Sequence, residues 1–381
     1  MADTSWCPDI GEIVHEKYQT IHKIGAGAFG SIFEVQDITT GKVYAMKLER
    51  NTITTPQLYH EFQIYQLLDS PPGVSRVYDY WAQQQFRGMI MDRLGFSLGY
   101  YFRKCGRLLS LKTVAMVAIQ MLCRIEYFHS RCFIHRDIKP DNFVFGIGSN
   151  SNLLYLIDFG LSQKYCDLKT FVHKDYQEDK GLVGTTPYVS VNVHLGVDQS
   201  RRDDLESIGY VLISLAKGKL PWQGIEENEN KDPKGGDPIT QLKMETSIET
   251  LCEGLPREFL EYMSRVKALL FDQKPSYQQL RNLFYNILIH DSFPFDYNYD
   301  WILQRSKRLY NMLKADDQQV EQINIPPYEL LAASKKNSKK TGFMPVLTLN
   351  ALALQAAYFV SKSKKHILEE TSKDSKIIIM I

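Results

Sequence analysis

No two cysteines in this chain stand at a metal-ligand spacing: Cys7, Cys105, Cys123, Cys132, Cys166 and Cys252 are scattered singly. That argues against a zinc ribbon or a disulfide framework and predicts thiols kept reduced inside a cell. The N-terminus lacks an apolar leader, so the expected location is cytoplasmic. Charge of one sign is also missing. The 45 Lys and Arg against 44 Asp and Glu leave a formal net charge of +1, which gives no general reason for nucleic acid binding. A convincing membrane span is absent too. Residues 343–360 are uncharged, but Pro345, Thr348, Asn350 and Gln355 interrupt them, and Leu347 to Val360 as a helix would reach only about 21 Å. Packing against the rest of the chain or a partner helix is expected there, not membrane anchoring. Lys335-Lys336-Asn337-Ser338-Lys339-Lys340 is a short basic patch, read first as solvated tail and second as a nuclear signal or anionic-partner contact.

What is present is enough apolar residue, 44% of 381, for a substantial core. From Tyr18 to about Lys47, short alternating stretches broken by Gly25, Gly27, Gly30 and Thr39-Thr40-Gly41 predict antiparallel strands. Residues 57–68 space their apolar positions by three or four and predict a helix, ended by Pro71-Pro72-Gly73. Strands are expected at 74–79 and 88–91, then helices at 111–129, 203–217 and 257–270. The shift predicts an α+β fold: a small sheet-rich lobe, then a larger helical one, with a ligand cleft at Asp92-Arg93-Leu94.

The chemistry-bearing residues fall in one order. Gly25-Ala26-Gly27-Ala28-Phe29-Gly30 allows close backbone approach to phosphate oxygens, with Phe29 over the cleft tip. Alone it also fits an ordinary hairpin or a dinucleotide fingerprint, but the latter needs a helix directly after the glycines. Lys47, after Val43-Tyr44-Ala45-Met46, can set its ammonium beside phosphates, and Glu61 on the next helix can orient it; taken separately they are a surface lysine and an unrelated glutamate. His135-Arg136-Asp137-Ile138-Lys139-Pro140-Asp141-Asn142 then offers a carboxylate to accept a hydroxyl proton (Asp137), a cation for the transferring group (Lys139) and a divalent-cation ligand (Asn142). Asp158-Phe159-Gly160 supplies a second metal ligand, Asp158. Arg136 either holds this loop or meets an activation-segment anion, and His135 reads as packing.

Taken together these motifs resemble a protein kinase. Lys139 two residues after Asp137 resembles the Ser/Thr-directed class, which implies transfer of the ATP γ-phosphoryl group, with Mg2+ or Mn2+, to Ser or Thr of protein substrates. The resemblance narrows to the casein kinase 1 family over about residues 15–305, on Lys47-Leu48-Glu49, Asp158-Phe159-Gly160-Leu161 and above all the run from His194 to Ser207, with Ser190-Val191-Asn192 where other kinases carry Ala-Pro-Glu. It implies a bilobal protein-kinase-like fold, with an antiparallel N-lobe at 15–93 and a mainly helical C-lobe at 94–305, between extensions 1–14 and 306–381, the latter expected to be regulatory. It further implies an adenine pocket of Ile24, Ile32, Ala45, Met91 and Val144, with hinge hydrogen bonds from Asp92 through Leu94. Gly184-Thr185 would shape the substrate floor with Thr185 near Asp137, and Asp204 would anchor the catalytic loop. The family commonly favours acidic or phosphate-primed substrates through a basic pocket. Here Pro187 stands where an arginine is usual and residues 225–240 are acid-rich, so a weakened primed preference is expected. Lys180 and Arg136 would remain, with Lys231, Lys234 or Lys243 as compensating cations. The competing reading is a pseudokinase or nucleotide-binding scaffold; intact Lys47, Glu61, Asp137, Asn142 and Asp158 point to transfer.

Overall fold

The computed structural model describes residues 7–26, 30–52, 56–225 and 237–317. By its contacts the chain divides into a unit ending at Tyr297 and another beginning at Asn298. The first unit opens with six strands, β1 (Ile13–Val14), β2 (Tyr18–Ala26), β3 (Gly30–Asp37), β4 (Val43–Arg50), β5 (Val77–Ala82) and β6 (Phe86–Asp92), with helix α1 (Leu58–Leu67) between β4 and β5. They form one antiparallel sheet in the order β1-β2-β3-β4-β6-β5.

Strand alternation decides which side chains enter the core. On β3 and β4, Phe33, Val35, Met46 and Leu48 turn to one face, where they pack with Val14, Tyr18, Trp81, Phe86 and Ile90. The other face therefore receives Ala45, Lys47 and Glu49. Register sets the neighbours: Ile32 lies opposite both Gly25 and Lys47, and Ala45 lies opposite Met91. The strand expected at 74–79 runs instead from Val77 to Ala82. Pro71-Pro72-Gly73 spends three residues on the turn, and Val74 makes only an isolated bridge to Leu156.

Helix α1 begins without a capping side chain of its own at Gln57. Glu49 serves instead: its Oε1 accepts the N–H of Gln57 at 2.7 Å and of Leu58 at 3.1 Å, satisfying donors that a helix start leaves orphaned. The buried stripe of α1 is Leu58, Glu61, Ile64 and Tyr65, so one carboxylate travels on an otherwise apolar face.

The remainder of the first unit is mainly helical. Helices α2 (Leu98–Lys104) and α3 (Leu111–Ser130) start at Ser97 and Ser110, whose hydroxyls accept the N–H of Tyr100 and Thr113. Along α3 nearly every residue from Thr113 to Leu122 is buried, as expected of a central helix. Short strands β7 (Phe133–Ile134), β8 (Phe143–Phe145), β9 (Leu154–Leu156) and β10 (Gln163–Lys164) follow, β7 pairing with β10 and β8 with β9. Then come α4 (Val191–His194), α5 (Arg201–Lys217), α6 (Pro238–Glu245), α7 (Ile248–Cys252), α8 (Arg257–Lys267) and α9 (Tyr277–His290). Helix α5 starts two residues before the expected 203, because the Asp203 carboxylate accepts the Ser200 N–H at 2.7 Å. It stops at Gly218, whose φ of +90° favours glycine and whose missing Cβ would lie 2.9 Å from the Arg107 carbonyl. Helix α8 ends at Lys267, three residues short of expectation, in a tight turn that bonds the Leu269 N–H to Val266. In the second unit, α10 (Asp300–Asp317) is the described helix. Among the described residues no helix is long and apolar enough to cross a membrane. The basic patch and the apolar tail weighed in the sequence lie outside the described residues.

Candidate active site

Three segments meet between the sheet and the helical part. Lys47 projects from β4, Glu61 from α1, and Asp158 from the turn after β9. Lys47 Nζ lies 2.6 Å from Glu61 Oε2 and 2.8 Å from Asp158 Oδ1. Burial works against the Lys47 charge, but the carboxylates of Asp158 and Glu61 together hold its pKa above the ordinary value. Burial pushes Glu61 up to about 7, against the pull of Lys47. Asp158 goes the other way: Lys47 outweighs burial and holds it down at about 2. Of the two carboxylates, Asp158 is thus the firmly ionised one. It also has a φ of +67°, uncommon for a residue with a side chain.

Asp137 sits in the loop between β7 and β8, only 6% exposed, with three donors on its carboxylate. Thr185 Oγ1 donates to Oδ1 at 2.6 Å, Lys139 Nζ to Oδ2 at 2.7 Å, and Asn142 Nδ2 to Oδ2 at 3.2 Å. Asn142 Nδ2 also donates to the Asp137 carbonyl at 2.8 Å, which commits the amide nitrogen inward and leaves its oxygen as a ligand. His135 is fully buried; its Nδ1 accepts the Asp137 N–H at 3.2 Å and its Nε2 donates to the Ile157 carbonyl at 3.0 Å. It is a brace, as the sequence suggested.

The loop hangs from Asp204 on α5. That carboxylate accepts the backbone N–H of His135 at 2.7 Å and of Arg136 at 2.9 Å, and the imidazole Nε2 of His129 at 2.8 Å. Since Asp204 only accepts, the His129 proton is on Nε2, and Nδ1 accepts from the Tyr277 hydroxyl at 2.6 Å. Burial opposes the Asp204 charge, yet the hydrogen bond from His129 leads the effects that hold it below its ordinary pKa. His129 was not anticipated; a polar residue on a largely buried helix was the available signal.

Among the adenine-pocket residues, Ile24, Ala45, Met91 and Val144 are buried and Ile32 is half-buried. Asp92 opens the expected hinge. Its N–H donates to the Arg76 carbonyl, and its carboxylate accepts the Arg76 N–H and the Tyr78 hydroxyl, both at 2.7 Å. The Leu94 N–H has no backbone acceptor among the described residues. Gly25 and Gly30 flank the turn between β2 and β3; Gly27 and Phe29 lie outside the described residues.

Of the expected substrate-floor residues, the structure brings Thr185 to Asp137 but not Lys180, which is exposed and joined through its N–H to the Gly196 carbonyl. Lys243 is not a compensating pocket cation. It is 1% exposed and donates to the carbonyls of Thr186 and Val189, each at 2.8 Å, with His194 Nε2 at 3.0 Å. Trp222 Nε1 donates to the Pro187 carbonyl at 2.8 Å, so the loop after Thr185 is hung by its carbonyls from below. Lys231 and Lys234 lie outside the described residues.

A buried lysine paired with a helical carboxylate, together with a buried carboxylate that accepts three side-chain hydrogen bonds, is an arrangement suited to phosphoryl transfer to hydroxyls. The Protein kinase domain family matches residues 18–285, more than two thirds of the chain, and the chain belongs to that family. It is an ATP-dependent protein-serine/threonine kinase.

Proposed function

We propose that this kinase is of the casein kinase 1 type and transfers the γ-phosphoryl group to protein Ser or Thr with little advantage for phosphate-primed substrates. The observation that carries the transfer role is the Asp137 carboxylate, held by Thr185, Lys139 and Asn142 at 2.6 to 3.2 Å. In this reading Asp137 aligns the substrate hydroxyl and accepts its proton as the new bond forms. Lys139 balances charge on the transferring group, and Lys47, held by Glu61, positions the α- and β-phosphates. Ile24, Ile32, Ala45, Met91 and Val144 enclose the adenine, with the Leu94 N–H as hinge donor.

Asn142 and Asp158 fit a pair of Mg2+ ions. The Asn142 amide oxygen and the second Asp158 oxygen remain for a ligand, since Asn142 bonds through its nitrogen and Lys47 takes one Asp158 oxygen. That suits a cation sharing few protein oxygens with phosphate and water. Bound there, Mg2+ supplies charge neutralisation of the phosphates.

The substrate preference rests on two placements. Pro187 brings no guanidinium, and Lys243 is buried and committed to carbonyls. Of the expected pocket cations among the described residues, Lys180 and Arg136 are left for a substrate anion. Acidic and phosphoserine-primed peptides should therefore outperform a neutral peptide only modestly, and Lys180→Ala should remove that margin. A large primed advantage that survives Lys180→Ala overturns the preference. Unchanged transfer in folded Asp137→Asn overturns the catalytic assignment. The cytoplasmic and nuclear location, and a regulatory role for residues 306–381, belong to the same proposal.

A further inference from the structure

The loop that follows Thr185 has no strand or helix of its own to satisfy its carbonyls. It is a single turn, in which the N–H groups of Tyr188 and Val189 both donate to the Thr185 carbonyl, at 2.9 and 3.2 Å. Residues 185–188 are half-buried. From the buried side, side chains take three of the next four carbonyls. Lys243 Nζ donates to those of Thr186 and Val189, each at 2.8 Å, and Trp222 Nε1 to that of Pro187, also at 2.8 Å.

Lys243, on α6, has a third acceptor in His194 Nε2 at 3.0 Å. The proton positions follow from the far side of that imidazole. Thr240 Oγ1 spends its hydrogen on Asp237 Oδ2 at 2.7 Å, so it accepts from His194 Nδ1 at 2.9 Å; Nε2 then carries no proton and accepts from Lys243. Burial and the charge on Lys243 keep His194 neutral, pushing it down to about 4. A neutral amine has two N–H bonds to give, whereas an ammonium has three, which matches the three acceptors here. Asp237 answers that charge through Thr240 and His194, and Glu206 on α5 is the other anion that favours it against burial. Three donors on one compact nitrogen reach acceptors on three sides, which a planar guanidinium would not.

We propose that Lys243 is a positioning residue for the protein substrate: its ammonium locks the turn at 186–189 from beneath and so sets the surface on which the acceptor segment lies next to Asp137. The path to the site is short. Thr185 stands at the head of the turn and donates to Asp137 at 2.6 Å. Before it, Gly184 has a φ of +119°, and its missing Cβ would lie 2.5 Å from the Arg136 carbonyl. The chain is thus fitted to the catalytic loop on one side of Thr185 and to Lys243 on the other. The inference rests on the reading of Asp137 as the residue that accepts the substrate proton.

The test compares the full chain with Lys243→Met, His194→Gln and His194→Asn in steady-state transfer to a Ser peptide. Methionine keeps an apolar stem and offers no donor. In Lys243→Met, KM for the peptide should rise about threefold or more and kcat should fall, with KM for ATP within about twofold of the parent; loss of active protein alone would lower kcat and move neither KM. The histidine pair separates the acceptor from the packing. Glutamine places an amide oxygen where Nε2 accepts, whereas asparagine places an amide nitrogen where Nδ1 donates and leaves Lys243 one acceptor short. Peptide KM should stay within about twofold of the parent in His194→Gln and rise about threefold or more in His194→Asn. A smaller rise in peptide KM for Lys243→Met overturns the proposal, whatever happens to kcat, and so does an equal rise in KM for ATP. If Lys243→Met does not fold, the histidine pair decides, and equal peptide KM in those two variants rejects the proposal. Unchanged transfer in Asp137→Asn overturns the underlying catalytic reading instead, and the KM comparison still reports on the turn.

Discussion

Glu61 is the only charged side chain on the buried stripe of α1, and burial and Lys47 pull its proton affinity in opposite directions. Its pKa of about 7 means that acidification below neutrality neutralises it and leaves Lys47 with Asp158 alone. Asp158, held at about 2, stays ionised throughout that range. We therefore expect kcat/KM to decline as pH falls through 7, reporting the free enzyme. Glu61→Gln should lower the plateau by one to two orders of magnitude and flatten that acid limb. A limb of the same shape and midpoint in the variant would assign it to another group. The pairing was legible in the sequence because Lys47 and Glu61 stand in order after a glycine-rich turn. The uneven sharing of charge among the three groups was not, since it depends on how far each is desolvated, which only the packed structure fixes.

Among the elements, α5 matters most to the site, through one carboxylate. Asp204 carries three hydrogen-bond donors at 2.7 to 2.9 Å, and removing it would orphan two buried backbone N–H groups and an imidazole. Asp204→Ala should cost about 3 kcal/mol or more, measured as a lower denaturant midpoint, together with loss of transfer. A midpoint within experimental error of the parent would show the loop held by other means. The pH sign follows from the direction of the shift. A carboxylate depressed in the folded state contributes stability that is fully present above its ordinary 3.8 and lost as pH falls through the lower folded value. This anchor thus stays intact across the range in which Glu61 titrates, and the two effects separate. Sequence reading located Asp204 by resemblance but missed His129, which reaches it from a helix far back in the chain. It also misjudged Lys243. A lysine after an acid-rich loop reads as exposed, whereas Tyr210 and Trp222 take its ammonium over their rings at 5.3 Å.

At the scale of the whole chain, the proposed site would seat nucleotide and cation between two groups of elements and link them. Mg–ATP at a hundredfold over its Kd should stabilise the fold by about 2.7 kcal/mol, read as a higher unfolding temperature that ATP with chelator does not reproduce. Equal temperatures with and without Mg2+ would remove Asn142 and Asp158 from the metal-ligand assignment. The architecture was largely readable, because alternation marked β3 and β4 and a long apolar helix marked α3. The turn after α1 and the ends of α5 and α8 moved by two or three residues, since proline turns and helix caps set them rather than hydrophobic period.

The cap on α1 bears on inhibition. Glu49 lies two residues beyond Lys47 on the same strand, so the strand that presents Lys47 also closes the first turn of the helix whose Glu61 pairs with it. His60 adds a tie from that helix to the Ser162 carbonyl at 2.8 Å. Inhibitors that work by driving this helix outward would have to uncap it, break the Lys47–Glu61 pair and release His60 together. Compounds confined to the adenine pocket meet none of those costs, and medicinal chemistry against this enzyme should favour them.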